Sequence, residues 1–326
     1  MLQHIVIAVY RDFELLDATG PASVFASANH ALAEDGKAPR YAVHLASPTG
    51  GAVPSSSGVV VDTKALAKMP LQVDTILVSG AEAHAVIAAA QTPELGRWLS
   101  RNASSVRRLG SVCAGTFVLA AGGLVDGKRV ATHWSACEAL ARLYPSLSVD
   151  ADALYVVDGK VWTSAGVTTG IDMALAMVSE DLGGALASRI AKRLVLYVRR
   201  PGYQSQFSAL LAAQEKADGP VADLLVWVQA NLGAALDVPS LAARACLSER
   251  TFHRRFVAAT GDTPARYIES VRLDAARILL SQGLALKEIA RRVGLAPPAR
   301  FARLFQRRFG VTPRLFRETH ADDERC

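Results

Sequence analysis

The first 200 residues alternate between short apolar runs and longer segments with helical spacing. Strands are predicted at 5–10, 41–46, 59–61, 75–78 and 106–112, and the first of these is a continuous apolar run of the kind typical of buried strands. Helical patterns lie between and after them, at 21–34, 83–90, 94–102 and 114–121. Residues 12–17 are expected to form a loop. Strands that alternate with helices predict an α/β domain whose mostly parallel sheet is sandwiched by helices.

Three further segments complete this half of the chain. Residues 152–165, with a central Asp-Gly pair, have the pattern of a β-hairpin. Residues 168–198 are helical in pattern, with a break at Gly183-Gly184. Residues 201–219 are polar and bounded by glycine and proline, which is typical of a linker.

The C-terminal third contains one pattern of aromatic, glycine and proline residues twice. Four residues recur 49 positions later, as the pairs Phe252 and Phe301, Phe256 and Phe305, Gly261 and Gly310, Pro264 and Pro313. A repeat at fixed spacing indicates one supersecondary unit used twice. Each unit has a short apolar helix, a turn, and a helix with aromatic residues at i and i+4 and arginines on its other faces. This is the pattern of a helix-turn-helix, and residues 264–282 would form the helix between the two copies.

Charge divides the chain in the same way. The formal charge is +6, and residues 215–326 hold 18 Lys and Arg against 13 Asp and Glu. A basic excess at one end is typical of a nucleic-acid-binding module joined to a nearly neutral one. The alternative, that these arginines only form the solvated face of amphipathic helices, does not account for two copies with the same spacing. We therefore predict domains at 1–200 and 220–326, separated by the linker at 201–219.

Cysteine usage and hydropathy restrict the compartment. The four cysteines, at positions 113, 137, 246 and 326, show neither CxxC pairs nor the spacing of a zinc site. Free thiols are expected in a reducing compartment. The N-terminus lacks the pattern of a signal peptide, and no apolar run approaches the roughly 20 residues of a membrane-spanning helix. These features predict a cytoplasmic protein with no membrane partner, no metal and no cofactor.

Candidate chemistry in the first domain centres on Cys113. Ser111 and Gly115, two residues to either side, are small enough for the strained strand-to-helix turn called a nucleophile elbow. The helix dipole is expected to favour the thiolate at this position. An isolated cysteine is more often a buried structural residue, but the place of Cys113 between an apolar strand and an apolar helix favours a pocket.

Residues 237–317 resemble the DNA-binding domain of the AraC/XylS transcription regulators. The segment FQRRFGVTPRLFR at 305–317 closely resembles the C-terminal signature of that family. The resemblance implies binding to double-stranded promoter DNA and contact with RNA polymerase. Pro297-Pro298 departs from the polar residues common at the start of the second recognition helix. The residues implied to contact DNA are Arg250, His253, Arg254, Arg300, Arg303 and Arg307.

Five segments of the first half are distinctive: LDATGP at 16–21, SVCAG at 111–115, ATHW at 131–134, TSAG at 163–166 and GID at 170–172. Through these segments, residues 4–198 resemble the ThiJ/PfpI branch of the class I glutamine amidotransferase-like superfamily, so we expect a flavodoxin-like fold. Together with RPGYQSQF at 200–207, these segments resemble the GlxA-type regulators, which fuse this domain to an AraC-type module.

The same resemblance implies an effector pocket. Cys113 corresponds to the elbow cysteine, Asp17 to the acid that faces it in many relatives, and His133 to the histidine of a Thr-His-Trp motif. Some enzymatic relatives have a His-x-Glu pair, and Ser135 stands here in place of its glutamate. Others have a histidine or a threonine directly after the cysteine, where this chain has Ala114. We expect His133 to be hydrogen-bonded beside a core tryptophan, and Trp134 and Asp17 could hold a cationic ligand. The implied pocket residues are Asp17, Cys113, Ala114, His133 and Trp134.

The sequence therefore predicts a one-component transcription regulator. Its α/β domain binds a small metabolite, such as an amine or an amino-acid derivative, and forms a homodimer. Its all-α domain, with two helix-turn-helix units, binds a promoter. The alternative is a hydratase or amidase that uses Cys113 as nucleophile and carries an accessory DNA-binding domain. The incomplete catalytic arrangement around the cysteine favours the regulator.

Overall fold

The computed structural model describes residues 2–70, 72–196, 202, 219–281, 284–309 and 311–321. The chain divides into two compact units, Met1–Gln206 and Phe207–Cys326, each with its own apolar core. Of the predicted linker at 201–219, only residues 202 and 219 lie within the described ranges. Among the described helices, none is long and apolar enough to cross a membrane.

The first unit is built on a mixed sheet. The strands in the described residues are β1 (Gln3–Ala8), β2 (Tyr41–Ser47), β3 (Gly51–Pro54), β4 (Val60–Ala65), β5 (Thr75–Val78), β6 (Arg108–Val112), β7 (Arg129–Val130), β8 (Ser148–Val149), β9 (Tyr155–Asp158) and β10 (Val161–Ser164). Eight of them form one sheet in the order β3-β4-β2-β1-β5-β6-β10-β9, and β7 pairs with β8. Pairing is antiparallel in β3–β4 and β9–β10 and parallel elsewhere. The predicted mostly parallel sheet is confirmed.

Helices flank this sheet, and its central strands are buried. The helices of the first unit are α1 (Leu15–Glu34), α2 (Ala83–Ala90), α3 (Pro93–Asn102), α4 (Gly115–Ala121), α5 (Cys137–Leu143), α6 (Thr169–Leu182) and α7 (Gly184–Arg193). Helix α1 packs against α6 and α7, whereas α2 packs against α3 and α4. Strands β5 and β6 are buried along their whole length, because both faces of a parallel sheet are covered by its crossover helices.

The first helix begins earlier than predicted, and this change positions Asp17. The prediction of a loop at 12–17 followed by a helix from residue 21 is wrong, because α1 starts at Leu15. Proline before an apolar run favours a helix start, but Pro21 lies inside α1. The Glu14 side chain caps the helix instead, accepting a hydrogen bond from the Leu16 N–H at 3.4 Å. Asp17 therefore lies in the first turn of α1.

The other elements of the first unit can be compared with the predictions, and one strand was not predicted. Strand β3 has no counterpart in the prediction, because only Val53 of its four residues is buried. The hairpin predicted at 152–165 is confirmed as β9 and β10. The helical break is also confirmed, since α6 ends at Leu182 and Gly183 has a φ of +88°. The last two residues predicted helical, 197 and 198, lie outside the described ranges.

The described residues of the second unit form helices only. They are α8 (Pro220–Ala230), α9 (Val238–Arg244), α10 (Glu249–Thr260), α11 (Pro264–Ser281), α12 (Leu286–Arg292), α13 (Pro298–Phe309) and α14 (Pro313–Ala321). Two helix-turn-helix units, α9–α10 and α12–α13, are joined by α11. This arrangement confirms the interpretation of the repeat.

The repeated phenylalanines are buried in both copies, and both ends of the first recognition helix are capped. Ser248 begins α10 by accepting the Thr251 N–H at 3.3 Å, and Gly261 ends it with a φ of +75°. The repeated phenylalanines are fully buried, whereas the arginines between them remain on the outer faces of α10 and α13. These phenylalanines are Phe252, Phe256, Phe301 and Phe305.

Candidate functional site

Cys113 forms the sharp turn that joins β6 to α4. Its φ is +56°, a backbone conformation that non-glycine residues rarely adopt. Two hydrogen bonds fix this backbone: the Cys113 N–H donates to the Ser164 carbonyl at 3.0 Å, and the Thr132 hydroxyl donates to the Cys113 carbonyl at 3.1 Å. The predicted elbow is therefore present, and its strained conformation is held by the surrounding chain.

Two glycines allow neighbouring backbone to approach the elbow closely. A Cβ atom on Gly80 would lie 2.6 Å from the Cys113 Cβ and 2.8 Å from the Asp17 Oδ2. On Gly166, whose φ is +106°, a Cβ would lie 2.7 Å from the Cys113 Sγ. Any larger residue at either position would displace the thiol, so both glycines belong to the site. The sequence analysis did not assign either glycine to the site, although each lies two residues after the end of a strand, β5 or β10.

Asp17 faces the thiol from the first turn of α1. Its carboxylate is fully buried and accepts two backbone hydrogen bonds, from Gly80 N–H at 2.9 Å and from Val167 N–H at 2.7 Å. The Cys113 side chain and this carboxylate both lie against Gly80. Burial raises the pKa of Asp17 to about 7, although the Val167 and Gly80 N–H groups act in the opposite direction.

The Cys113 thiol is protonated in these surroundings. Burial, and then the negative charge of Asp17, raise the pKa of the thiol well above its ordinary value, whereas the Ala114 N–H lowers it. The N–H group at the start of α4 therefore acts in the expected direction, but burial and the charge of Asp17 outweigh it. Helix α4 has only seven residues, and one N–H group does not offset the lost hydration of a buried sulfur anion. Ala114 itself is buried next to Cys113, at the N-cap of α4.

His133 and Trp134 lie beyond Thr132, the residue that binds the Cys113 carbonyl. The His133 Nδ1 is 2.8 Å from the Ser135 hydroxyl, and burial lowers the pKa of the imidazole. Trp134 is 51% exposed, so the expectation of a core tryptophan is wrong. Trp134 begins a three-residue 3-10 turn, and its ring lies 5.4 Å from the His133 ring.

Acidic groups surround the elbow. The charges of Asp17, Glu14 and Glu82 all raise the pKa of the Cys113 thiol, and Glu82 also acts on His133. Glu82 is exposed, whereas Glu14 is half-buried at the start of α1. The sequence analysis missed both, because neither belongs to a recognised motif. Their positions just before α1 and α2, where the chain leaves the ends of strands, are the signal that could have found them.

We expect Asp17 to make stability depend on pH. A pKa of about 7 in the folded chain, against an ordinary value of 3.8, means that the folded state binds the proton more tightly. Its contribution to the free energy of unfolding should therefore fall as the pH rises from about 4 to about 7, by up to about 4 kcal/mol. Asp17→Asn does not titrate at this position. The free energy of unfolding of the wild type, minus that of the variant, should therefore decrease as the pH rises over this range. Urea unfolding at several pH values measures it, and parallel profiles would contradict the prediction.

Exposed basic residues lie on both recognition helices of the second unit, and two arginines of α13 lie near acidic groups of α11. Those implied to contact DNA are all exposed: Arg250, His253 and Arg254 on α10, Arg303 and Arg307 on α13, and Arg300 in the first turn of α13. Arg307, however, donates to the Glu269 carboxylate on α11 at 2.6 Å, and Arg308 lies 4.0 Å from Asp274 on the same helix. Arg307 is thus directed toward the joining helix, which the sequence did not predict.

Each of the two units matches a known protein family or domain. Residues 3–180 match the DJ-1/PfpI family, and residues 241–319 match a helix-turn-helix domain. The HTH-type transcriptional regulator GlxA of Rhizobium meliloti is 30% identical over 325 residues, which cover 96% of this chain and 94% of that protein. The HTH-type transcriptional regulator CdhR of Pseudomonas aeruginosa is 32% identical over 276 residues, 84% of this chain and 80% of that protein.

One similar protein is an enzyme. The isonitrile hydratase of Pseudomonas putida is 32% identical over 208 residues, which cover 63% of this chain and 83% of that protein. The regulators match over both units, whereas this enzyme matches a shorter part of the chain. The match to GlxA and CdhR and the two helix-turn-helix units lead to one conclusion: the chain belongs to the DJ-1/PfpI family, among its transcriptional regulators with a C-terminal AraC-type helix-turn-helix domain.

Proposed function

We propose that the pocket at Cys113 binds a small cationic metabolite, such as an amine or an amino-acid derivative, and that its occupancy controls promoter binding. The observation that carries this proposal is the buried pair of Asp17 and a protonated Cys113 in an acidic setting. The pair provides a carboxyl group that accepts hydrogen bonds and a thiol that can donate one, in one place. Such a pair can recognise a ligand by hydrogen bonds without a chemical step.

The electrostatics of the site favour a positive charge in the ligand. After burial, the charges of Asp17, Glu14 and Glu82 raise the pKa of the thiol, which supports a negative potential at this position. Trp134 adds an exposed ring close to His133. A cation over an indole face gains about 0.5–2 kcal/mol, more where water is excluded. An ammonium group placed between the acids and Trp134 would use both features.

A second candidate function is hydration or amide hydrolysis at Cys113, favoured by the similarity to isonitrile hydratase. A cysteine nucleophile needs a thiolate, or a base that removes its proton. The raised pKa of the thiol opposes the thiolate, and Ala114 brings no hydroxyl. The His133 ring is hydrogen-bonded to the Ser135 hydroxyl at 2.8 Å. Incubation of the purified chain with isonitriles, nitriles and amides tests this candidate, and turnover that disappears in Cys113→Ser would establish it.

DNA recognition can be tested at two arginines of the same helix. Arg303 is exposed on α13, where we propose that it contacts a base edge, whereas Arg307 is paired with Glu269. Arg303→Ala should weaken binding to the cognate promoter by about 1–3 kcal/mol and binding to random DNA much less. Arg307→Ala should weaken both equally and by a smaller amount, because it positions α13 or contacts phosphate.

Fluorescence anisotropy with two DNA duplexes measures these losses. One duplex carries a promoter recovered with the protein from genomic DNA, and the other has the same composition in scrambled order. Arg97→Ala is a matched control, since Arg97 is exposed on α3 of the first unit and pairs only locally with Glu94. Equal losses on both duplexes for Arg303→Ala would assign that residue to the phosphates. Self-association of the first unit and contact with RNA polymerase stay predictions from the family resemblance.

A further inference from the structure

Arg272 lies in the middle of α11, the helix that joins the two helix-turn-helix units, and its guanidinium binds backbone outside that helix. The Arg272 Nε donates to the Leu232 carbonyl at 3.0 Å, and its Nη2 donates to the Ala234 carbonyl at 2.7 Å. Both carbonyls lie in the turn that leads from α8 into α9. One half-buried side chain therefore holds the entry to α9–α10 against the joining helix.

The turn of the other helix-turn-helix, α12–α13, packs on the same guanidinium. A Cβ atom on Gly294, in this turn, would lie 2.7 Å from the Arg272 Nη2 and 2.6 Å from the Leu232 carbonyl oxygen. Gly233, in the α8–α9 turn, lies close to the end of α12, because its Cβ would be 3.0 Å from the Arg292 carbonyl oxygen. Both helix-turn-helix units and the joining helix therefore meet at Arg272.

The repeat shows that the left-handed turn does not by itself require glycine at position 294. The corresponding residue after α9 is Cys246, which has a φ of +54° against +68° for Gly294. Cys246 is exposed, so its side chain has room. At Gly294 this room is occupied by a guanidinium and a carbonyl group. The second copy of the turn is thus suited to close contact with Arg272.

Arg272 also lies near the recognition helix α13. The charge of Arg300, in the first turn of α13, lowers the pKa of Arg272, after the larger effect of burial. The guanidinium still carries its charge, because arginine does not lose its proton in proteins, so both bonds to carbonyl oxygens are charge-assisted. Since α13 begins shortly after Gly294, a strong contact at this junction restrains α13 relative to α9–α10.

We propose that Arg272 sets the distance and angle between the recognition helices α10 and α13, and thereby the spacing of the two DNA segments that the chain binds together. This inference rests on the proposal that both helices contact base edges. Two linked binding modules gain affinity only where their geometry matches both sites. One added base pair changes the separation of two DNA segments by about 3.4 Å and their rotation by about 35°. A fixed junction therefore makes binding depend on spacing, and Arg272 acts as a positioning residue.

Fluorescence anisotropy of the full chain with a set of duplexes tests this role. The set contains the promoter recovered from genomic DNA, versions with one or two base pairs inserted between its two footprinted segments, and versions with either segment scrambled. The wild type should bind the unaltered promoter at least about tenfold more tightly than each altered duplex. Arg272→Met should bind the unaltered promoter at least about tenfold more weakly, but the scrambled duplexes within about twofold of the wild type. Its affinity should no longer depend on inserted base pairs.

Matched controls separate this effect from loss of charge and from backbone strain. Arg266→Met removes a charge from an exposed position of the same helix, 3.8 Å from Asp262, and should affect all duplexes alike. Gly294→Ala should reproduce the effect of Arg272→Met, because the added methyl group displaces the guanidinium. Gly261→Ala imposes similar strain, at a φ of +75° where no atom is close enough to meet the added group, and should keep the dependence on spacing. Arg272→Lys, which lacks the planar fork, replaces the methionine variant if that variant does not fold.

Three results would overturn the inference, and they differ in what else they remove. If Arg272→Met and Gly294→Ala keep the wild-type dependence on spacing, Arg272 does not position the recognition helices, and the proposed base contacts stand. A uniform loss on every duplex for Arg272→Met would assign the residue to folding or to charge alone. If the wild type binds the unaltered promoter and the scrambled duplexes equally, the two helices do not act together on DNA. The base contacts proposed for them then fail as well.

Discussion

Replacing Cys113 with tryptophan is expected to abolish the effector response while DNA binding by the second unit persists. The backbone at Gly80 and Gly166 lies so close to Cys113 that an added Cβ on either glycine would be 2.6 Å or less from the cysteine Cβ. An indole cannot fit between these backbone segments without displacing them, which would disrupt the proposed ligand site. Overpacking of this kind costs about 1–3 kcal/mol of stability, so the variant should also unfold at a lower temperature.

The matched control is Cys113→Ser, which should keep most of the response. Serine has nearly the same shape and retains a hydrogen-bond donor toward Asp17, but it cannot act as a thiolate. A promoter-reporter assay in cells, with purified protein checked for binding to the same promoter, separates loss of sensing from loss of DNA affinity. If Cys113→Ser abolishes the response and the wild-type protein consumes its ligand, the sensory interpretation is wrong and catalysis replaces it.

The largest effect on folding is expected at Arg108, in the core of the first unit. Its side chain and that of Asp181 are only 2% and 3% exposed, and they are joined by two hydrogen bonds of 2.9 Å. The Arg108 guanidinium also lies 5.1 Å from the Trp162 ring. Arg108→Met would remove the buried one of the two arginines that bind the Asp181 carboxylate. Arg107 and the Tyr41 hydroxyl would still contact this carboxylate. Removing one member of a buried ion pair typically costs about 3–5 kcal/mol, and we expect the lower end of this range because these two partners remain.

Two further variants identify the cause of this loss. Arg107 also binds Asp181, at 2.6 Å, but it is 39% exposed, so Arg107→Met should cost about 1 kcal/mol or less. The double variant Arg108→Met with Asp181→Leu should recover much of the stability, because no buried charge then lacks its partner. Urea unfolding followed by circular dichroism gives the three free energies. An Arg108→Met variant no less stable than Arg107→Met would show that the buried pair contributes little.

Periodicity was sufficient to predict those parts of the fold that depend on burial alone. The strand at 75–78 and the helix at 83–90 have the predicted bounds, because strongly apolar runs leave few alternatives. The duplicated phenylalanines identified both helix-turn-helix units, since a repeated aromatic spacing is independent of any local propensity. The elbow at Cys113 was also predictable, because the small residues around it are a local requirement of that turn.

Long-range contacts determined what the sequence could not predict. Asp17 is buried because α1 starts at Leu15 and turns the carboxylate toward the N–H groups of Gly80 and Val167, which are distant in sequence. The same burial raises the thiol pKa, which a local dipole argument does not capture. The family resemblance implied that Arg307 contacts DNA, and its pairing with Glu269 depends on how α13 packs on α11.

The central claim, that one ligand pocket controls DNA binding in a single chain, is tested most directly by one titration. A thermal-shift screen of amines and amino-acid derivatives supplies a ligand, and fluorescence anisotropy then measures the affinity of the full chain for its promoter with and without that ligand. We expect saturating ligand to change the promoter affinity at least about fivefold, and Cys113→Trp to abolish the change. Identical affinities with and without saturating ligand would contradict the account.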